Sequence, residues 1–110
     1  MATTFKNVLT SGLGETPTTV LTTGSTVKTT LVGLSLTNTT SNIVMASIQL
    51  QDTIANTSAY YVQNIVIPPN TSARVINGGE RLVLGSSTNI VINSNTNSSI
   101  DLVLSYVEIS

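Results

Sequence analysis

Glu15, Asp52, Glu80, Asp101 and Glu108 are the five carboxylates of this chain, and a pair of them is the arrangement that acid–base chemistry on a glycosidic bond would use. Each has a simpler use. Glu80 is followed directly by Arg81, Asp52 falls in a predicted turn, and Asp101 lies on the polar face of a predicted strand, so solvation at the surface accounts for all three. Histidine and cysteine are absent, which removes the Ser-His-Asp and Cys-His arrangements and the usual zinc sites. Asp52 with Asn56 offers oxygen ligands to a hard cation but lacks the acidic repeat that calcium loops use. Gly78-Gly79 joins two predicted strands and precedes no helix carrying Lys-Ser or Lys-Thr, so it reads as a hairpin turn and not as a phosphate cradle. Four Asn-x-Ser/Thr triplets, beginning at Asn38, Asn56, Asn70 and Asn97, are what chance supplies in so hydroxyl-rich a chain. The expectation is a protein that catalyses nothing and needs no cofactor or metal.

The elements that would position these residues are all strands. From Ser25 to Asn38 the chain reads as one long strand, with Val32, Leu34 and Leu36 on an apolar face and Gly33, Ser35 and Thr37 on the other. A polar loop from Asn38 to Asn42 leads into Ile43–Gln51, where Val44, Ala46, Ile48 and Leu50 face inward. Ser58–Ile67 follows, ended by Pro68-Pro69, which cannot donate to a ladder. Short strands are expected at Arg74–Ile76, Glu80–Leu84 and Asn89–Asn93, the first two joined by the turn Asn77-Gly78-Gly79. No window carries apolar residues at helical spacing for the length of a helix. About eight short strands at 8–12-residue spacing predict an all-β fold, a single antiparallel β-sandwich or jelly-roll-like domain. Residues 1–24 form either an N-terminal arm or an edge strand, and residues 25–110 form the sandwich.

Two places in this pattern point outward. Tyr60 and Tyr61 are adjacent on one strand, so one ring must leave the domain's core, either to lie flat on an exposed sheet or to anchor a subunit contact. The last strand, Ser99–Ile109, carries Ile100, Leu102, Leu104 and Tyr106 on one face and Val103, Val107 and Ile109 on the other, so a second cover is expected over it. Tyr60, Tyr61, Val103, Val107 and Ile109 are therefore the candidate subunit interface.

Composition agrees. Thr, Ser and Asn number 19, 14 and 11, and charged residues are only 8% of the chain, with a net charge of −1. A surface of hydroxyls and amides with so little charge is poorly protected against self-association, which favours coverage in an assembly. Four dispersed cations cannot form a basic stripe, so nucleic-acid binding is not expected. Neither an export signal nor an apolar run of membrane-spanning length is visible.

Over essentially its full length the sequence resembles small structural proteins of tailed-bacteriophage virions, especially those of cyanobacterial and other aquatic phages. The resemblance is carried by Gly14-Glu15-Thr16-Pro17-Thr18-Thr19-Val20, by Thr26-Val27-Lys28-Thr29-Thr30-Leu31-Val32-Gly33-Leu34, by Pro68-Pro69, by Gly79-Glu80-Arg81-Leu82-Val83-Leu84 and by the closing Ser99–Ile109 segment. It implies a virion component with a β-sandwich fold, made in the host bacterial cytoplasm and carrying no catalytic residues. A capsid decoration or cement protein is the leading expectation. The alternatives are a neck, tail or baseplate subunit, or a fibre-associated receptor- or glycan-binding module. Its partners would be further copies of itself, in a trimer or ring, and the major capsid or tail proteins.

Overall fold

The computed structural model describes residues 3–76 and 81–109. The turn expected at Asn77-Gly78-Gly79, and the start of the strand expected at Glu80, lie outside the described residues. Nine strands occupy the rest: β1 Thr3–Leu13, β2 Thr18–Thr22, β3 Lys28–Asn38, β4 Val44–Asp52, β5 Thr57–Ile67, β6 Ser72–Ile76, β7 Leu82–Leu84, β8 Thr88–Ser94 and β9 Ile100–Ile109.

The strands pair as a nested antiparallel hairpin. β4 pairs with β5 at its tip, β3 with both β6 and β7, β2 with β8, and β1 with β9. Successive pairs fall alternately in two sheets, ordered β1-β9-β3-β6 and β2-β8-β4-β5, with β7 continuing the β6 edge along β3. With β6 and β7 sharing one strand position, this is the eight-position, two-sheet topology of a jelly roll.

The core between the sheets is aliphatic. Leu31, Leu34 and Leu36 of β3, Val44, Ala46 and Ile48 of β4, Ile90 and Ile92 of β8, and Ile100, Leu102 and Leu104 of β9 are all buried. Alternation along β9 runs as the sequence pattern requires; on β4 it holds for Val44, Ala46 and Ile48, while Leu50 is only half-buried and Ser47, expected outward, is buried as well. Along β3 it does not. The β3–β9 register shifts between Leu31 and Gly33, so Val32 is an inserted bulge residue, and the inward set is Thr29 and Leu31 before it and Leu34, Leu36 and Asn38 after it. Val32 therefore does not share the face of Leu34 and Leu36.

Asn38 pins one end of the roll. Fully buried, its Nδ2 donates to the carbonyls of Asn42 at 2.7 Å, Ile67 at 3.0 Å and Pro68 at 3.2 Å. Its Oδ1 accepts from the Thr40 backbone N–H at 2.9 Å and the Thr40 hydroxyl at 2.7 Å. One amide thus ties the β3–β4 connection to the end of β5, in a place where bare carbonyls would otherwise be desolvated. At the opposite end, Asp52 Oδ1 accepts from the N–H groups of Ile54 and Ala55 at 3.0 and 3.1 Å, and Asn56 takes a φ of 55°, which together close the β4–β5 tip.

Candidate interaction surface

The two sheets present different outer faces. Pairing in register sets Phe5 of β1, Val107 of β9, Thr30 of β3 and Val83 of β7 side by side in one row across four strands. A second row runs Leu9, Val103, Ser35 and Arg74, and a third places Thr3, Ile109 and Lys28 together. Because Leu102, Leu104 and Tyr106 of β9 turn into the core, the alternating residues Val103, Val107 and Ile109 must turn out. Phe5 is 80% exposed, Leu9 70%, Val83 69%, Val103 46% and Ile109 37%. Val107, flanked on both sides, is half-buried.

The face is not flat. Val32 and the shift at Gly33 leave a shallow depression lined by Phe5, Asn7, Val32 and Ser105, and another by Val32, Ser35, Arg74 and Val103. A third, bounded by Leu9, Ser11, Asp101 and Val103, lies where β1 bulges at Gly12, whose φ is 70°. Side chains of a facing surface have somewhere to enter.

On the other sheet the outward row is Thr19, Val91, Gln49 and Tyr60, followed by Thr22, Asn89, Gln51 and Ser58. Here amides and hydroxyls bond to one another: Thr22 Oγ1 donates to Asn89 Oδ1 at 2.8 Å, Gln51 Nε2 to Gln49 Oε1 at 3.3 Å, and the Asn64 N–H to Ser47 Oγ at 2.9 Å. Polar groups satisfy each other over much of this face, while Met45 and Val66, paired across β4 and β5, and Tyr60 add a smaller exposed apolar patch towards the β5 edge.

The structure therefore divides the five candidate interface residues. Val103, Val107 and Ile109 share the apolar face, while Tyr60 and Tyr61 lie on β5, the edge of the other sheet. Tyr60 turns outward and is exposed; Tyr61 sits at a register shift and packs against the domain's own core. Phe5, Leu9 and Val83 join the face although sequence reasoning did not select them. The Phe5-x-Asn7-x-Leu9 alternation was the available signal.

The carboxylates occupy supporting positions. Glu108 Oε1 stands 2.7 Å from Lys6 Nζ, and that contact holds the Lys6 ammonium above the ordinary lysine pKa, through the hydrogen bond first and the charge second. Asp101 Oδ1 accepts from the Gly12 N–H at 3.1 Å and steadies the β1 bulge. Asp101 and Glu108 lie on opposite faces of β9, seven residues or about 23 Å apart along the strand, well beyond the separation of a paired acid and base. Among the described residues no three His, Cys, Asp or Glu side chains gather as a metal site, and no helix is long and apolar enough to cross a membrane.

What these faces define is a jelly-roll sandwich whose larger exposed apolar face lies on the β1-β9-β3-β6 sheet. No protein-family model matches the chain and no curated protein does, so nothing in sequence comparison extends the tailed-phage resemblance. Among solved structures it is similar to a chain of the T13 viral particle of IBDV, whose crystal structure is described as revealing a missing link in the evolution of icosahedral viruses. The TM-score is 0.56 at 11% identity, over 97% of this chain and 31% of the other, so the chain spans about a third of that protein's length. The likeness is one of fold.

Proposed function

We propose that the protein is a structural component of a tailed-phage virion, a capsid decoration or cement protein that binds its neighbours through the outer face of the β1-β9-β3-β6 sheet. The observation that carries this reading is the row Phe5–Val107–Thr30–Val83, with Leu9, Val103 and Ile109 beside it, in a chain that is only 8% charged. Four strand spacings by ten residues give a face of about 600 Å², or about 1,200 Å² counting both partners, at the lower end of specific interfaces. A contact of that size is modest alone and becomes strong when repeated around a lattice. A fold shared with a chain of an icosahedral particle accords with such a role, and a compact single domain suits a surface lattice better than a fibre.

The direct test is location. An antibody to the purified protein should find it in gradient-purified particles of the phage that encodes it, and on heads once heads and tails are separated. Its absence from particles would refute the reading, and its presence on tails alone would move it to the neck, tail or baseplate. The face is tested separately: Val107→Asp should break the face contact, so that the mass by light scattering falls below the parent's while the circular dichroism stays the parent's. Parental mass for that variant would remove the outer face from the contact.

A further inference from the structure

Among the described residues, three of the four sheet edges are broken, and one is not. β2 has five residues with a register shift between Thr19 and Leu21. β5 shifts register twice, takes a positive φ at Asn64 and runs into Pro68-Pro69. The edge along β3 is divided between β6 and β7, with a further shift opposite Leu34 and Ser35. Bulges, short strands and prolines are the devices by which sheets avoid pairing with other chains. β1 carries none of them between Thr3 and Thr10, where it holds unbroken register with β9. Its single charge there, Lys6, is already engaged by Glu108.

We propose that this edge pairs with β1 of a second copy, antiparallel about a two-fold axis at Asn7, so that the β1-β9-β3-β6 sheets of two copies become one. The proposal deepens the assembly reading above and rests on it only in requiring that the protein bind itself. A two-fold perpendicular to the sheet brings outward residues opposite outward residues, so the axis must pass through a residue position. At Lys6 it would oppose two ammonium groups, which is destabilising. At Val8 it would set Phe5 against Ser11 and Leu9 against Asn7, spending both apolar side chains on polar neighbours. At Asn7 it sets Phe5 against the second copy's Leu9 twice, and the two Asn7 amides against each other, each able to donate and accept. Since Phe5 already neighbours Val107, and Leu9 neighbours Val103, the apolar strip then runs uninterrupted from one copy to the next.

The chain has no cysteine, so single-cysteine variants read this register directly. Directly opposed residues in an antiparallel pair have Cα atoms roughly 4.5–5.5 Å apart, within the span of a disulfide. Asn7→Cys, at an exposed position, should form a covalent dimer under mild oxidation on a non-reducing gel. Phe5→Cys and Leu9→Cys should each stay uncrosslinked alone, with like residues offset by four positions or about 13 Å, and should crosslink when mixed one to one. Failure of Asn7→Cys to crosslink at concentrations where the parent is oligomeric would overturn the pairing. Crosslinking by Val103→Cys without Asn7→Cys would do so too, while sparing a face-to-face contact. A dimer through Asn7→Cys that persists beside Val107→Asp would keep the edge pairing and show that it forms without the outer face. A parent that is monomeric at every concentration would overturn the pairing and leave the particle test to decide function.

Discussion

Removing the Asn38 amide should destabilise this fold more than its position at the end of a strand suggests. Asn38→Ala deletes three donated and two accepted hydrogen bonds at once. They are not equal. The Thr40 hydroxyl can turn to the Asn42 carbonyl, already 3.0 Å away, which repairs two of the losses. The Pro68 carbonyl and the Thr40 N–H are partly accessible and recover much of their bonding from water, at about 0.5–1 kcal/mol each. The Ile67 carbonyl is buried and recovers nothing, at about 1–3 kcal/mol. The sum is about 3 kcal/mol. With a urea m-value on the order of 1.5 kcal/mol per molar for a domain of this size, the unfolding midpoint should fall by about 2 M with an unchanged slope. Circular dichroism against urea makes the measurement. A loss below about 1 kcal/mol at the same slope would mean that water reaches the Ile67 carbonyl freely, and the account of Asn38 as a pin would be wrong.

Thr29 is fully buried and its hydroxyl has no partner among the described residues, so Thr29→Val, which keeps the shape and removes the desolvated oxygen, should raise stability by about 1 kcal/mol in the same assay. Gly14→Ala should lower it by about 1–3 kcal/mol, because the new Cβ would lie 2.9 Å from the Asn97 Cα and 3.1 Å from the Ser98 nitrogen, backbone that cannot swing aside. The Lys6–Glu108 pair raises the lysine pKa, so whatever it contributes is present at neutral pH and lost as pH rises through that raised value. Lys6→Gln should therefore differ from the parent at pH 7 and low salt, and the difference should vanish in strong alkali and shrink in molar salt; a gap that persists in both would assign the effect to packing.

Strand content was legible wherever one face is buried and the other is not. β9 announced its inward and outward residues, and β4 its inward Val44, Ala46 and Ile48, because a period of two survives any tertiary arrangement that leaves the strand unbroken. The parity of β3 departs from the sequence pattern at Val32 because a bulge changes parity without changing composition. Gly33, an isolated glycine inside an apolar run, was the local mark of it. The apolar face was half legible. Val103, Val107 and Ile109 lie on a single strand, whereas Phe5 and Val83 reach Val107 only through pairings between distant parts of the chain, which no local pattern encodes. From the sequence Asn38 is a turn residue and part of a chance triplet. Its partners at Ile67 and Pro68 are about thirty positions away, and nothing near Asn38 in the chain points to them.

The nested pairing of strands also has a kinetic meaning. β4 and β5 close the smallest loop and can meet first; each further pair then closes only a short gap beyond the one already formed, and β1 with β9 comes last. Folding dominated by such distant pairings is slow, in the range of milliseconds to seconds for sandwiches. For that interval β1 has neither edge occupied. On a ribosome the wait is longer, since β9 must be made before β1 can be paired. A strand that is the last to be claimed by its own chain is the first available to a neighbouring one, so crowded synthesis should favour exchange of β1 between copies, and dilute refolding should suppress it.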